Sequence, residues 1–144
     1  AAGTSCRSRA TAYGGSPAGV PRRLTAVYGI TAGETFGFFE GRRLDAVTYG
    51  RYKVSLFFDE GVGLDVEGVL AVTVTGGDER SAEDARDLAA PLLDLLSLTV
   101  TAVRVDAPSS LALEFENGTV VRAIDDLGPY ECFDVHHGEH IWIM

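Results

Sequence analysis

Two stretches of this chain, LDAVTYGRYKVSLFFDEG at residues 44–61 and VTAVRVDAPSSLALEFENG at 100–118, follow one pattern. Ala46 and Val47 match Ala102 and Val103. After a one-residue insertion near Pro108, Leu56, Phe58 and Gly61 match Leu113, Phe115 and Gly118. Leu44/Val100, Val54/Leu111 and Asp59/Glu116 are conservative pairs. Val54, Leu56 and Phe58 alternate with Lys53, Ser55 and Phe57, the period of two of a strand with one buried face. Each copy reads as strand, turn, strand, turn, strand, with Asp59-Glu60-Gly61 and Asn117-Gly118 as hairpin turns. A three-stranded meander has one apolar face that it cannot bury alone. Two copies can bury those faces against each other or pair edge to edge, and the matched strand lengths and turns point to an internal duplication.

The remaining segments fill in around the two copies. LTAVYGI (24–30) and TFGFFE (35–40) read as two strands, and VLAVTV (69–74) as another, ended by Gly76-Gly77. Between the copies, Ala85, Leu88, Leu92 and Leu95 recur at three- and four-residue steps, the spacing of an amphipathic helix over 81–97. Ser81 with Asp84 resembles a capping box. Pro91 removes a backbone donor, so the helix is expected to run over 82–90 and to resume at Pro91. After the second copy, YECFDV and HIWIM read as a last hairpin. The expected fold is α+β and mostly antiparallel β: two similar β-meander units packed together, with one kinked helix between them and about ten strands. Residues 1–23, rich in Gly, Ser, Ala and Pro, are expected to be a flexible arm. Residues 24–144 then form a single domain of two related halves, about 24–77 and 98–144, joined by the helix.

Charge is divided unevenly along the chain. Arg7, Arg9, Arg22 and Arg23 stand in the first 23 residues, which hold no acid, so the rest carries 8 basic against 21 acidic residues. A body that acidic repels phosphate backbones, which argues against nucleic acid and for a basic protein partner, or for solubility alone. No apolar run reaches the length of a membrane span. The two cysteines, Cys6 and Cys132, lie far apart, and Cys6 falls in the expected arm. They fit a reducing cytosol, without a disulfide, better than a disulfide scaffold. The first residues carry no apolar segment of the signal-peptide kind, so a cytoplasmic location is expected.

The run LLDLLSLTVTAVRVDAPSSLALEFENGTVVRAIDDLGPYECFDV, residues 92–135, resembles a small bacterial domain family of uncharacterised function. That family is marked by TVTAVxVDxPxSLxLxFxNGT and a later Tyr-Glu pair. Residues 41–75 carry the same resemblance more weakly. Eleven Arg against one Lys, with much Ala and Val, fits an actinobacterial source. The resemblance implies an accessory or immunity-like role. It brings no catalytic residue, and marks Tyr130 and Glu131 as structural or interface positions.

Reactive side chains concentrate in ECFDVHHGEH, 131–140. His136, His140, Asp134 and Cys132 are candidate ligands for zinc or a similar ion. The register of the hairpin decides between two outcomes. A three-residue loop, 137–139, pairs His136 with His140 and puts all four residues on one face. A two-residue loop at His137-Gly138, or a four-residue loop, pairs Val135 with His140 and separates the two histidines. The Xaa-Gly dipeptide favours the two-residue loop. There is no nucleophile elbow, dinucleotide loop or P-loop, and Cys132 in mid-strand suits a small buried hydrophobe. The paired acids all fall at turns or helix starts, where capping explains them. Phe57 points away from the first core layer and is assigned to a second one, with an interface as the alternative.

The first reading is therefore a non-enzymatic protein-interaction module that needs no cofactor, with Tyr130, Glu131, Phe57 and Trp142 as interface candidates. A metal-dependent enzyme at the histidine cluster is the second. The third is a homodimer joined through Phe57 or Trp142.

Overall fold

The computed structural model describes residues 29–144. The arm expected over 1–23 and most of the strand expected at 24–30 lie outside them. Among the described residues, ten strands form two antiparallel sheets of five. The first meander supplies β1 (Leu44–Tyr49), β2 (Val54–Phe58) and β3 (Val62–Val66), followed by β4 (Val69–Thr73) and β5 (Glu79–Ala82). The second supplies β6 (Val100–Asp106), β7 (Ser110–Phe115) and β8 (Val120–Ile124), followed by β9 (Phe133–His137) and β10 (His140–Ile143).

Each meander lies in its own sheet, but the hairpin that follows it crosses to the other one. The first sheet runs β1-β2-β3-β9-β10 and the second β5-β4-β8-β7-β6. Only Glu67 and Gly68 separate β3 from β4, and both of their N–H groups donate to the Cys132 carbonyl, at 2.8 and 2.9 Å. The fold is therefore mostly antiparallel β, with two similar meander units packed together.

The two meanders correspond bond by bond. Both first pairings carry a register shift near their start, between Leu44 and Ala46 and between Val100 and Ala102. The two starts are tied to each other. Leu44 N–H donates to Leu98 O and Val100 N–H to Arg42 O, both at 2.9 Å. Ser97 N–H donates to Leu44 O and Gly41 N–H to Val100 O, at 2.8 and 2.9 Å. Asp59 accepts from Arg43 N–H at 3.0 Å, and Glu116 accepts from Thr99 N–H at 2.9 Å. The conservative pair Asp59/Glu116 thus performs one task twice.

One core lies between the sheets. Val54, Leu56, Phe58, Leu64 and Val66 face Leu111, Leu113, Phe115, Val121 and Ala123 within a single buried cluster. The Phe58 and Phe115 rings stack at 6.3 Å. Leu56 and Leu113 are wholly buried, and truncating such a leucine to alanine costs about 2–5 kcal/mol.

The helical expectation over 81–97 fails in its extent. Glu79–Ala82 is a strand, because it pairs with β4 through Leu70↔Ala82 and Thr73↔Glu79. Arg122 holds Glu79 in a two-pronged ion pair at 2.7 and 2.9 Å. Ser81 therefore caps nothing, and Asp84 caps a short 3₁₀ turn at Ala85–Leu88 by accepting from Arg86 N–H. The α-helical part of this segment, α1, spans only Ala89–Leu93. Pro91 lies in its first turn, where an N–H would find no intrahelical acceptor, so it is accommodated there without dividing the helix. TFGFFE is likewise a 3₁₀ turn at Gly37–Phe39, not a strand. Phe36 and Phe39 are buried there just as Leu92 and Leu95 are buried ahead of the second meander.

Gly41 and Ser97 occupy matching positions with left-handed backbone, φ 83° and 72°. Such a backbone strains any residue with a side chain by about 1–2 kcal/mol. Ser97→Gly should therefore raise stability by about 0.5–1 kcal/mol in urea unfolding, the relief being partly offset by glycine's chain entropy. Gly41→Ala, whose added Cβ meets nothing within 4 Å, should lose about 1 kcal/mol.

Candidate functional site

Alternation along the first sheet puts its apolar side chains in the core and leaves an outer face of mixed character. Two rows cross that face. One runs Ala46, Phe57, Gly63, His136, Ile141; the other runs Thr48, Ser55, Asp65, Asp134, Ile143. Phe57, Ile141 and Ile143 are 48%, 57% and 49% exposed. Between them sits a charged centre. His136 Nε2 lies 3.0 Å from Asp65 Oδ2, and Lys53 Nζ lies 3.7 Å from the same oxygen. Gly63 stands directly opposite His136, whose imidazole reaches diagonally to Asp65. A Cβ on Gly63 would stand 3.7 Å from the His136 Cβ.

Asp134 pairs across the strands with Asp65. Its carboxyl is pushed up to about 6, first by burial, then by the carboxylates of Glu131 and Asp65; His136 and Lys53 pull the other way. Ligating atoms of Asp65, Asp134 and His136 lie within 4.8 Å of one another, among the described residues the one arrangement on this face that could grip a divalent ion. The Lys53 ammonium already supplies positive charge there.

The structure divides the sequence candidates. His140 pairs with His137, and Ile141 with His136, around a two-residue loop of Gly138-Glu139. This loop is none of the two-, three- and four-residue choices read from the sequence. Its parity still sends His140 to the opposite face from His136 and Asp134. His140 stands beside Trp142 instead, ring centroids 5.7 Å apart.

Cys132 is wholly buried and disulfide-bonded, so it offers no thiolate to a metal. The expectation of unbonded cysteines fails at Cys132; the other cysteine, Cys6, lies outside the described residues. A second group, Asp125, Asp126 and Cys132, loses its sulfur donor for the same reason.

Among the interface candidates, Trp142 turns inward, edge-on to Phe36 at 5.7 Å and stacked on Phe38 at 5.4 Å. Tyr130 packs partly buried against the core, and Glu131 is half-buried beside Asp134. Phe57 alone of the four stands open, and no second layer covers it among the described residues, because the paired meander packs on the sheet's other face. Asp65 and Lys53 escape the sequence reading. The available signal was one acid alternating with Leu64 and Val66, but its partner His136 is 71 residues away.

At the end of the sandwich, a cleft of about 190 Å³ lies between the β1–β2 turn and residues 83–86. It mixes Arg51, Lys53 and Arg86 with Glu67, Glu83 and Asp84.

Residues 38–130 match the model of the Family of unknown function (DUF6188). The chain belongs to that family. The match takes in both meanders and the β4–β5 hairpin, and with them Phe57 and Asp65, but ends before β9. Asp134 and His136 therefore lie beyond the DUF6188 segment, although they complete its sheet. No curated protein and no solved structure matches the chain. Among the described residues, no helix is long and apolar enough to cross a membrane.

The Asp134 carboxyl gives a signed pH dependence. Unfolded, it titrates near the usual ~3.9, whereas folded it titrates at about 6. Between those values the folded chain binds more protons, so stability falls as pH rises. Partial exposure holds the effect to the order of 1 kcal/mol. Urea midpoints should decline between pH 4 and 6 in the wild type, and Asp134→Asn should flatten that decline.

Proposed function

We propose that this DUF6188 member is a non-enzymatic protein-interaction module that uses the outer face of its first sheet. The observation that carries this reading is the two-row layout. Exposed Phe57 stands on one side of a polar centre of Asp65, Asp134, His136 and Lys53, with Ile141 and Ile143 on the other. An apolar anchor beside a charged centre is the composition of a protein-binding patch. The excess of acids fits a basic partner, whose approach it steers. An accessory or immunity-like role in a bacterial cytoplasm suits the resemblance drawn from residues 92–135. The matching seams, turns and register shifts of the two meanders support descent from one duplicated unit.

A second reading takes Asp65, Asp134 and His136 as a divalent-metal site, on the strength of their three converging donors. It needs Lys53 to withdraw from Asp65.

One set of proteins separates the two. The partner is enriched on the purified full chain, then prepared pure and titrated by calorimetry. Phe57→Ser and Asp65→Asn should each weaken binding tenfold or more, about 1.4 kcal/mol. Val120→Ser, on the outer face of the second sheet, should leave it unchanged. Equal binding by all three variants would sink the first reading. Zinc chloride titrated into wild type and Asp134→Asn decides the second: uptake of one ion by the wild type alone supports it, and no uptake dismisses it.

A further inference from the structure

Sheet edges in stable proteins are guarded, commonly by charge, because their open backbone groups invite another strand. Three of the four edges here follow the rule. β1 carries Asp45, β5 carries Glu79 and Arg80, and β6 carries Arg104 and Asp106. β10, His140-Ile141-Trp142-Ile143, carries neither acid, lysine, arginine nor proline. Among the described residues nothing pairs with its outer side.

The backbone of this edge is ordered for self-pairing. Met144 and Phe133 exchange both of their backbone hydrogen bonds, at 2.9 and 3.1 Å. Bonded and non-bonded pairs alternate along an antiparallel ladder. Trp142 and His140 therefore also bond inward to β9, while Ile141 and Ile143 direct N–H and C=O outward. These same two residues present the most exposed isoleucine side chains of the chain, both on the outer face.

We propose that β10 pairs with β10 of a second copy of this chain, antiparallel about a two-fold axis at Trp142, to make one continuous ten-stranded sheet. In that register Ile141 of each copy faces Ile143 of the other. Their outward backbone groups make four hydrogen bonds, and four isoleucine side chains cover one another. A shift by one residue would oppose unlike faces, and a shift by two would leave half of the outward groups unpaired. A second copy suits this strand because its open groups and its apolar side chains are complementary to themselves. The interface belongs to the small, weak class, with a Kd on the order of 10 µM. Net charge of −9 on each copy opposes association, so added salt should strengthen it.

Sedimentation of the full chain tests the proposal. Wild type should pass with concentration from the 15.3 kDa chain to twice that mass. Ile141→Lys should keep it monomeric across the same range. Ile143→Pro removes an outward N–H without touching the β9 ladder, and should weaken association tenfold or more. Circular dichroism and urea midpoints near wild type show that both variants fold. A wild type that stays monomeric at about 100 µM overturns the proposal. So does a dimer that both variants preserve, which would place the contact on another surface. Phe57→Ser should leave self-association unchanged, so failure here and failure of the partner-binding face are read separately.

Discussion

The seam where residues 41–44 meet 97–100 is the constraint on which the rest depends. Four backbone hydrogen bonds join the entry of one meander to the entry of the other, and within each meander one carboxylate-to-backbone bond ties that entry to its own hairpin turn. Each such bond adds about 1 kcal/mol net, but leaving its groups buried and unmade would cost more. The seam fixes how the two meanders face each other. Their apolar sides then have one way to meet, through Leu56, Leu64, Leu113 and Val121. With that orientation set, β3 and β8 each present an unpaired edge that the hairpin from the other half can take up.

That exchange of hairpins makes the outer face. β9 brings Asp134 and His136 beside Asp65, which belongs to the first meander, so the charged centre exists only when the halves are assembled. Burial of Asp134 among other acids is tolerated because Lys53 and His136 offset part of the repulsion. The same crossing leaves β10 as the outermost strand among the described residues, and so decides which of their apolar side chains stand uncovered.

Much of the fold was legible in the sequence, and the gaps have physical causes. Period-two alternation in 54–58 and 111–115 revealed the strands and their buried side, because each residue's face follows from its neighbours alone. The match of Asp59 with Glu116 was visible too, though not the bond that explains it. The 79–82 segment was misread because Ser81-Ala-Glu-Asp84 has good local helix signals, while its pairing with β4 and the Arg122–Glu79 bridge are contacts that local propensity does not see. In the site, Asp134 and His136 were found and His140 and Cys132 were not part of it. The loop register settled His140, and the disulfide settled Cys132. Phe57 looked like a residue of a second layer because the sequence says that a second meander exists, but not which face it covers.

If the seam and the exchanged hairpins bind the halves as described, neither half can open alone. Native-state hydrogen exchange under mild urea measures this directly. The account predicts that the amides of Leu44, Leu64, Val100, Val121 and Val135 lose protection together, with one opening free energy equal to that of global unfolding. Protection that persists at Val100 and Val121 while Leu44 and Leu64 exchange freely would contradict it.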